Sequence, residues 1–404
     1  MRIYLFSLPI IVFCLFGSVS AKDNHSSSSN NLPEIRKVKD IIIYKDSLFY
    51  SSFPSVVKRP DGEILVAFRR APNRILFGAQ GVSHTDPNSY LVMVRSRDGE
   101  NWTKEPELIF AHPFGGSQDP CLLQLKDGTL ISTSYVWGLI RADADSILKR
   151  KVTRAISRTD HSPSFTFLGG YLVRSDDGGE NWQGPIYPPH VSSDNQVNVW
   201  GKPLPAYNRG ALCEGENGSV YWVVAAKDPG PASKTSTHLL VSKDKGVTWA
   251  YTAVVASDEK ISFNETSVYE TPGGDLVAFL RTSNSLDQFP SIARSTDHGK
   301  SFKWQSLSFY GYPLHALKLS DNRVLLTYGY RHKPYGIRAR ILNPECTDFA
   351  SAPEFVIRDD GGSTDLGYSW SVLLDKKHVL VVYYFNHDGG IRYISGTILE
   401  INKQ

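Results

Sequence analysis

Short apolar runs recur in pairs along the chain, and each pair flanks a turn of small or polar residues. Runs of this length, rich in Val, Ile, Leu and aromatic residues, predict β-strands, and a tight turn between two of them predicts a β-hairpin. The predicted hairpins are Pro54–Phe68, Pro120–Tyr135, Gly210–Ala225, Thr266–Leu280, Leu314–Tyr328 and Ser369–Tyr384. The first five have turn residues suited to tight hairpins, whereas the last turn, Lys376-Lys377, does not.

A second pattern alternates with the hairpins. Three copies fit Ser-x-Asp-x-Gly-x-x-Trp/Phe and a fourth copy is one residue shorter; they are Ser175–Trp182, Ser242–Trp249, Ser295–Phe302 and Ser96–Trp102. The aspartate can accept hydrogen bonds from the backbone of its own turn, the glycine takes a positive φ, and the aromatic ring seats the turn on the sheet below. A turn repeated in this way indicates a repeated β unit.

The two repeats together predict an all-β fold, a six-bladed β-propeller. Each hairpin supplies two strands and the segment that follows it supplies about two more, so each blade is a four-stranded sheet. The C-terminal region supplies three strands of the last blade, and Asp40–Tyr44, from the other end of the chain, is predicted to be its fourth strand. A pair of β-sandwiches is the alternative, but sandwiches do not repeat one turn at blade-like intervals.

Composition agrees with many short strands joined by tight turns. The 404 residues include 12% aromatic residues, 32 Gly and 23 Pro, and a chain of this length can bury a large core. The formal net charge of +3 is too small to indicate a nucleic-acid partner. A basic insertion in the second blade is either a solvated loop or a cationic lid that attracts an anionic glycan. Its charged residues are Arg141, Lys149, Arg150, Lys151, Arg154 and Arg158.

The N-terminal region predicts export. Residues 1–21 combine a basic start, an apolar core over Ile3–Phe16 and a small-residue cleavage site, which is typical of a signal peptide, and the core is too short to span a bilayer. Residues 22–35 form a Ser/Asn-rich tether, and residues 36–404 form the propeller. We expect a secreted or periplasmic monomer without a stable membrane span. A lipid anchor on Cys14 is disfavoured by the bulky Phe13 before it.

No metal or cofactor is predicted. Removal of the signal peptide leaves Cys121, Cys213 and Cys346, an odd number spread over different blades, so at most one disulfide can form. The sequence has no Cys/His spacing typical of zinc, no calcium-binding loop and no Gly-rich phosphate loop after a strand.

The starts of the hairpins predict a polar pocket on the propeller axis. The innermost strand of each blade lines the central channel, so the residues eight positions before each turn should meet near one end of it. These residues are Phe53, Asp119, Arg209, Glu265, Pro313 and Tyr368. Four of them carry an ionisable group, whereas a lining chosen for packing would be apolar. The ends of the second strands add Arg69, Arg70, Arg281 and Arg331.

Over roughly Phe49–Glu400 the sequence resembles the sialidase superfamily, whose members carry such turns, called aspartate boxes, on a six-bladed propeller. Asn264-Glu265-Thr266 and the later Arg281 are similar to the family's glutamate segment and its following arginine. Gly367-Tyr368-Ser369 is similar to the segment of the nucleophilic tyrosine, and Asp86 stands where the family keeps a loop aspartate. The resemblance implies that Tyr368 attacks the anomeric carbon, Glu265 takes its proton, and Asp86 is the general acid and then the base.

Arginines are expected to hold the acidic group of such a substrate in a bidentate fork. The candidates are Arg281 and one of Arg331, Arg338 and Arg340. The family begins its first blade with an arginine two residues before a proline, but here Ser52 stands in that place. Either Arg69 or Arg70 substitutes for it, or the substrate is not a sialic acid. Asp119, Arg209 and His315 complete the predicted substrate-binding set.

The sequence is consistent with three functions. The first is an exo-acting glycoside hydrolase that removes a terminal acidic sugar from an oligosaccharide or polysaccharide. The second is a lyase or dehydratase that acts on uronate-containing polysaccharide, sulfated or not, with Arg209 or Arg281 neutralising the carboxylate. Its candidate acids and bases are Tyr368, His84, His112 and His315. The third is a glycan-binding propeller without chemistry, against which the coincidence of Asp86, Glu265, Arg281 and Tyr368 argues.

Overall fold

The predicted six-bladed propeller is confirmed. The computed structural model describes residues 34–78, 84–140, 155–156, 164–198, 200–229, 234–283, 286–387 and 390–402. Within these ranges the chain forms six antiparallel sheets, and the innermost strands of neighbouring blades contact one another around one axis. The predicted signal peptide, nearly all of the tether and the six basic residues of the insertion lie outside the described residues.

In blades 1 to 5 the strands run in chain order from the axis outward, and in blade 6 the N-terminal strand is outermost. Blade 1 contains β2 (Phe49–Lys58), β3 (Ile64–Pro72), β4 (Tyr90–Ser96) and β5 (Glu107–Phe110). Blade 2 contains β6 (Gly115–Gln124), β7 (Leu130–Ile140), β9 (Ser164–Ser175) and β10 (Gln183–Ile186), with the short β8 (Ala155–Ile156) paired to β9. Blade 3 contains β11 (Cys213–Glu214), β12 (Val220–Lys227), β13 (Thr235–Ser242) and β14 (Ala250–Ala256).

The second half of the propeller repeats this plan. Blade 4 contains β15 (Phe263–Glu270), β16 (Leu276–Thr282), β17 (Ser291–Ser295) and β18 (Lys303–Ser306). Blade 5 contains β19 (Tyr312–Lys318), β20 (Val324–Tyr330), β21 (Gly336–Leu342) and β22 (Phe355–Arg358). Blade 6 contains β23 (Gly367–Leu373), β24 (His378–Phe385), β25 (Tyr393–Ile401) and β1 (Ile35–Tyr44). A single turn of 3-10 helix, Arg74–Phe77, follows β3.

The two ends of the chain close the ring, as predicted. Strand β1 pairs antiparallel with β25, so that Ile35 lies opposite Ile401 and Tyr44 opposite Ile394. The strand is longer than the predicted Asp40–Tyr44. Its first half was not predicted because residues 36–40 are exposed and include Arg and Lys, so this part of the sequence is polar. An ion pair between Arg36 and Glu400 joins the two strands on the exposed face.

All six predicted hairpins form, including the one with unsuitable turn residues. In that turn the Asp375 carboxylate accepts hydrogen bonds from the backbone amides of Lys377 at 2.7 Å and His378 at 2.9 Å. A side chain that satisfies turn amides in this way replaces the glycine or asparagine that a tight turn usually needs. The apolar runs on both sides therefore determined the hairpin, and the turn adapted to them.

The repeated turns make the hydrogen bonds expected from their residues. In the copy before β14, the Asp244 carboxylate accepts from the Thr248 amide at 2.8 Å, and the Ser242 hydroxyl accepts from the Gly246 amide at 2.8 Å. The Trp249 indole donates to the Gly246 carbonyl at 3.1 Å, and its ring contacts the fully buried Trp222 edge to face. Each ring therefore anchors its turn to the sheet beneath it.

The described cysteines, Cys121, Cys213 and Cys346, are all free thiols. The same part of the chain contains no helix with the length and hydropathy of a membrane span.

Replacement of Trp249 with alanine is expected to lower the free energy of unfolding by about 3 kcal/mol, because it removes a large aromatic side chain that packs against Trp222. Chemical denaturation measures the change. Tyr251→Ala is the matched control, since this aromatic side chain on the same blade is exposed and its loss should change stability little. A Trp249→Ala protein of unchanged stability would contradict this assignment.

Candidate active site

The innermost strands are irregular at the positions predicted to face the axis. The pairing of β2 with β3, β6 with β7, β15 with β16 and β23 with β24 shifts register across Phe53, Asp119, Glu265 and Tyr368 respectively. A bulge turns a side chain out of the regular ladder. Phe53, Asp119 and Tyr368 also have φ values of 57°, 32° and 55°, which L-residues adopt at a cost. Strain at equivalent positions of three blades marks this end of the channel as a candidate site.

Three of the predicted residues form one hydrogen-bonded group. The Tyr368 hydroxyl donates to Glu265 Oε1 at 2.5 Å. Arg281 Nη1 donates to Glu265 Oε2 at 2.5 Å and to the Tyr368 oxygen at 3.0 Å. Blades 4 and 6 thus place a phenol, a carboxylate and a guanidinium in mutual contact across the channel.

The surroundings determine where the proton of this group resides. Burial alone would raise the pKa of Glu265, but the Arg281 guanidinium and the Tyr368 hydroxyl outweigh it and hold the pKa below its ordinary value. Burial and the neighbouring carboxylate raise the pKa of Tyr368 well above its usual range. The resting pair is therefore a neutral phenol hydrogen-bonded to an ionised carboxylate, the state in which a carboxylate can accept a proton from a hydroxyl nucleophile.

Arg209 reaches across the axis from blade 3 to blade 1. Its Nη2 donates to the Pro54 carbonyl at 2.9 Å, and its guanidinium lies 4.5 Å from the centre of the Tyr368 ring. A buried cation thus lies beside the segment that contains Ser52, the position at which the resemblance led us to expect an arginine. The sequence predicted that Arg209 lies on the axis, but it did not predict the contact with the Pro54 carbonyl.

Arg69 is the most unusual cation in the site. Its side chain is 0% exposed, and Nε, Nη1 and Nη2 all lack a hydrogen-bond partner. The guanidinium lies 5.5 Å from the Tyr50 ring and interacts electrostatically with Asp119 and Asp86. A buried guanidinium with no hydrogen bond is costly, so such a group points to a ligand that would supply the missing acceptors.

Asp119 is the second carboxyl group in the pocket. Tyr135 donates to its Oδ2 at 3.2 Å, while Oδ1 is buried without a partner. Burial, assisted by the nearby Glu265, raises the pKa of Asp119 to about 6, against the opposing charges of Arg209 and Arg69. Near neutral pH this group therefore lies close to the point where it exchanges its proton.

Arg331 and His315, two further residues predicted to bind the substrate, lie in different surroundings. Arg331 donates to the Leu366 carbonyl and lies 5.4 Å from the Tyr368 ring centre, at the site. His315 is buried, hydrogen-bonded to Ser371 and stacked on Trp370, and burial lowers its pKa to about 3.

The other two arginines are engaged away from this group. Arg70 bonds to Asp46 and Tyr90. Arg338 bonds to backbone carbonyls within and beside blade 5 and lies over the Tyr330 ring. Their substrate-binding roles stay predictions.

Asp86 is buried beside the pocket, but its carboxylate is fully engaged. Arg74 binds it in a bidentate fork, with 2.7 Å from Nε to Oδ2 and 3.0 Å from Nη2 to Oδ1. The amide of Asn88 donates to Oδ1 at 2.8 Å. Its role as general acid stays a prediction.

Sequence reasoning missed Asp365, which lies three residues before Tyr368. Its carboxylate accepts from Tyr50, Tyr384 and Arg392 and contacts His84, whose Nε2 lies 3.2 Å from Oδ1. Proximity to the tyrosine segment was the available signal, but the donors come from distant parts of the chain. No group of three or more His, Cys, Asp or Glu side chains that could hold a metal occurs in the described ranges.

Comparison with solved structures identifies the relatives of the chain. A protein of unknown function from Dyadobacter fermentans is 59% identical, with a TM-score of 0.87, and the match covers 92% of this chain and 100% of that one. The chain belongs to the same family as this protein. No family model matches the chain, and no curated protein matches it.

The chain is also similar in structure to sialidases, at much lower sequence identity. The K499G mutant of the NanB sialidase from Streptococcus pneumoniae is 13% identical, with a TM-score of 0.61, over 89% of this chain and 70% of that one. The intramolecular trans-sialidase from Ruminococcus gnavus is 14% identical, with a TM-score of 0.57, over 87% of this chain and 94% of that one. At this identity the likeness establishes a shared propeller fold.

The raised pKa of Asp119 predicts a pH-dependent stability difference. The folded protein binds a proton at this carboxyl up to about pH 6, whereas the ordinary pKa is 3.8, so the contribution of Asp119 to stability falls as the pH rises between these values. Asp119→Asn lacks this titration. Its stability relative to the wild type should therefore increase by up to about 3 kcal/mol between pH 4 and pH 7. Denaturation curves for both proteins across this range test the prediction, and a constant difference would contradict it.

Proposed function

We propose that the protein is an exo-acting glycoside hydrolase that removes a terminal acidic sugar through a tyrosine nucleophile. The observation that carries this proposal is the contact of the Tyr368 hydroxyl with Glu265 at 2.5 Å, with Arg281 bound to both. A hydroxyl, a base and an orienting cation within hydrogen-bond reach form the arrangement expected of an activated nucleophile. The shared propeller fold of the sialidases supports the same reaction class by analogy.

In the first step the Tyr368 oxygen bonds to the anomeric carbon while the bond to the leaving oxygen breaks. The phenolic proton passes to Glu265, and a general acid protonates the leaving oxygen. Because the pKa of Tyr368 is raised and that of Glu265 is lowered, a free phenolate is not populated at neutral pH. Proton transfer must therefore accompany bond formation, and Arg281, 3.0 Å from the phenol oxygen, stabilises the charge that develops there.

In the second step a water molecule gives a proton to the conjugate base of that acid and bonds to the anomeric carbon. The bond to Tyr368 breaks, and Glu265 returns its proton to the phenol oxygen. Two displacements at one carbon retain its configuration. A neutral tyrosine also avoids the repulsion that a carboxylate nucleophile would meet from an acidic sugar, which explains the use of a phenol at this position.

The preference for an acidic sugar rests on the cations of the pocket. Arg69 has three nitrogens without hydrogen-bond partners, and Arg281 keeps an unpaired Nε. We assign the binding of an anionic group of the substrate to Arg69 rather than Arg70, because Arg70 is occupied by Asp46 and Tyr90. Asp119, beside Arg69, is suited to accept a hydrogen bond from a sugar hydroxyl.

We also propose that residues 1–21 are a signal peptide that directs a monomeric enzyme out of the cytoplasm.

A screen of the purified protein against acidic oligosaccharides and polysaccharides tests the function. Reducing-sugar release without an ultraviolet signal is expected. Elimination, the chemistry of the lyase alternative, would instead leave a conjugated double bond that absorbs in the ultraviolet. Binding without turnover would favour the glycan-binding alternative.

Tyr368→Phe and Glu265→Gln are each expected to reduce kcat by at least 100-fold, because each removes one end of the same proton transfer. Groups that act as a unit are not additive, so the double variant should be little worse than the poorer single variant. Steady-state kinetics of the three proteins measure this, with melting temperatures to show that they fold. Full activity of Tyr368→Phe would exclude the nucleophile role.

Arg69→Met is expected to increase the stability of the protein and to decrease its activity. Removing a buried guanidinium without hydrogen bonds should raise the free energy of unfolding by about 1 kcal/mol or more, while kcat/KM for an acidic substrate falls about 10- to 100-fold. Arg70→Met is the matched control, because it breaks the contact with Asp46 and should affect stability more than kcat/KM. The opposite result for the two variants would transfer the binding role to Arg70.

A further inference from the structure

We propose that His84, oriented by Asp365, is the general acid and then the general base of the reaction, in place of Asp86. The assignment rests on the proposed hydrolase function, because it names the group that protonates the leaving oxygen. It departs from the resemblance, which implies this role for Asp86. It follows from three features of the site: the engagement of Asp86, the position of His84 and the anchoring of Asp365.

Asp86 is poorly placed to donate a proton. Both of its oxygens accept charge-assisted hydrogen bonds from Arg74, and Oδ1 also accepts the Asn88 amide. The bidentate contact with Arg74 occupies both oxygens, so neither is free to reach the leaving oxygen of a substrate. The carboxylate would have to leave Arg74 before it could act as an acid, and it is almost completely buried.

His84 lies at the pocket and is open to solvent. Its side chain is 56% exposed, whereas Tyr368 is buried. The His84 ring lies 5.4 Å from the Phe53 ring, which in turn lies 4.8 Å from the Tyr368 ring, centre to centre. The leaving group of an exo-acting hydrolase extends toward solvent from the sugar that occupies the pocket. An exposed acid that is separated from the buried nucleophile by one aromatic ring is therefore on the solvent side, where the proton is required.

Asp365 holds the imidazole in place. The Tyr384 hydroxyl at 2.9 Å and Arg392 Nε at 2.7 Å fix its two oxygens, and Tyr50 donates to both at 3.1 Å. Burial opposes ionisation, but the donors, with His84 foremost, hold the pKa of Asp365 well below its usual range. The carboxylate thus stays charged and orients the histidine through Nε2, while Nδ1 has no partner among the described residues.

Ionisable groups of both signs surround His84. Asp365 faces it from the segment before β23, Tyr50 from β2 and Asp119 from β6. Arg392 lies behind Asp365, and Arg69 lies beside Tyr50 and Asp119. Asp365 contacts His84 directly, whereas Arg392 and Arg69 contact the neighbours of His84.

The proton balance of the reaction is complete with this assignment. In the first step the imidazolium gives its Nδ1 proton to the leaving oxygen as the glycosidic bond breaks, and His84 becomes neutral. In the second step neutral Nδ1 takes a proton from the attacking water, which restores the imidazolium. Asp365 stays ionised throughout and is a positioning residue, in the way that a buried aspartate orients a catalytic histidine in other hydrolases.

Leaving-group dependence tests the proposal. The probes are the 4-nitrophenyl and methyl glycosides of N-acetylneuraminic acid and of glucuronic acid, used with the full chain. A 4-nitrophenolate leaves without protonation, whereas methoxide needs a proton. His84→Ala should therefore lose at least 100-fold in kcat/KM on the methyl glycoside and less than about 10-fold on the 4-nitrophenyl glycoside. Free imidazole should restore part of the lost rate.

Two further variants identify the acid. Asp86→Asn should change the rates of both glycosides by a similar factor, and His298→Asn, an exposed histidine on a repeated turn, should change neither. Asp365→Asn should move the alkaline limb of the pH profile of kcat/KM to lower pH, because the imidazolium loses its carboxylate partner; a structural role alone would lower the rate without this shift.

The outcomes separate this proposal from the function on which it rests. Selective loss on the methyl glycoside in Asp86→Asn but not in His84→Ala would overturn the assignment of His84 and leave the hydrolase function intact. Absence of hydrolysis of all four glycosides by the wild type, with no activity in the glycan screen, would overturn the hydrolase function and this assignment with it.

Discussion

The pairing of β1 with β25 is the contact on which the site depends. It joins the two ends of the chain in one sheet and completes the sixth blade, so that no blade edge is left between the first and last hairpins. Closure fixes the innermost strands around one axis. Tyr368 comes from blade 6, Glu265 and Arg281 from blade 4, and these elements meet only because the ring is closed. A strand near the N-terminus thereby supports contacts between residues far along the chain.

The rigid ring also tolerates features that a less constrained fold would relax. Positive φ values at Phe53, Asp119 and Tyr368 and the unpaired guanidinium of Arg69 all reduce stability. They are concentrated at one end of the channel. At the other positions of the same strands the chain follows regular pairing and places apolar side chains between blades. Positive φ values and an unpaired guanidinium at one place are what a site preorganised for a ligand would show, since binding would supply the interactions that folding leaves unmade.

Much of the fold could be predicted from the sequence, because its signals are local. The hairpins follow from apolar runs a few residues apart. This holds even for the turn without favourable residues, in which Asp375 accepts hydrogen bonds from the backbone amides. The positions facing the axis followed from counting back from each turn. The first half of β1 was missed because its exposed Arg and Lys residues hide a strand that is stabilised only by β25.

The sequence by itself determined the number of blades, their closure and the residue types on the axis, since periodicity and turn chemistry act over short separations. Only the tertiary structure decided which of those residues meet. Arg209 of blade 3 donates to the Pro54 carbonyl of blade 1. The Asp365 carboxylate contacts Tyr50, His84 and Arg392, which come from separate segments of the chain. Adjacent residues Arg69 and Arg70 point to opposite sides of β3, one into the pocket and one to Asp46, because side chains alternate along a strand. Such contacts depend on the closed ring, and no local pattern encodes them.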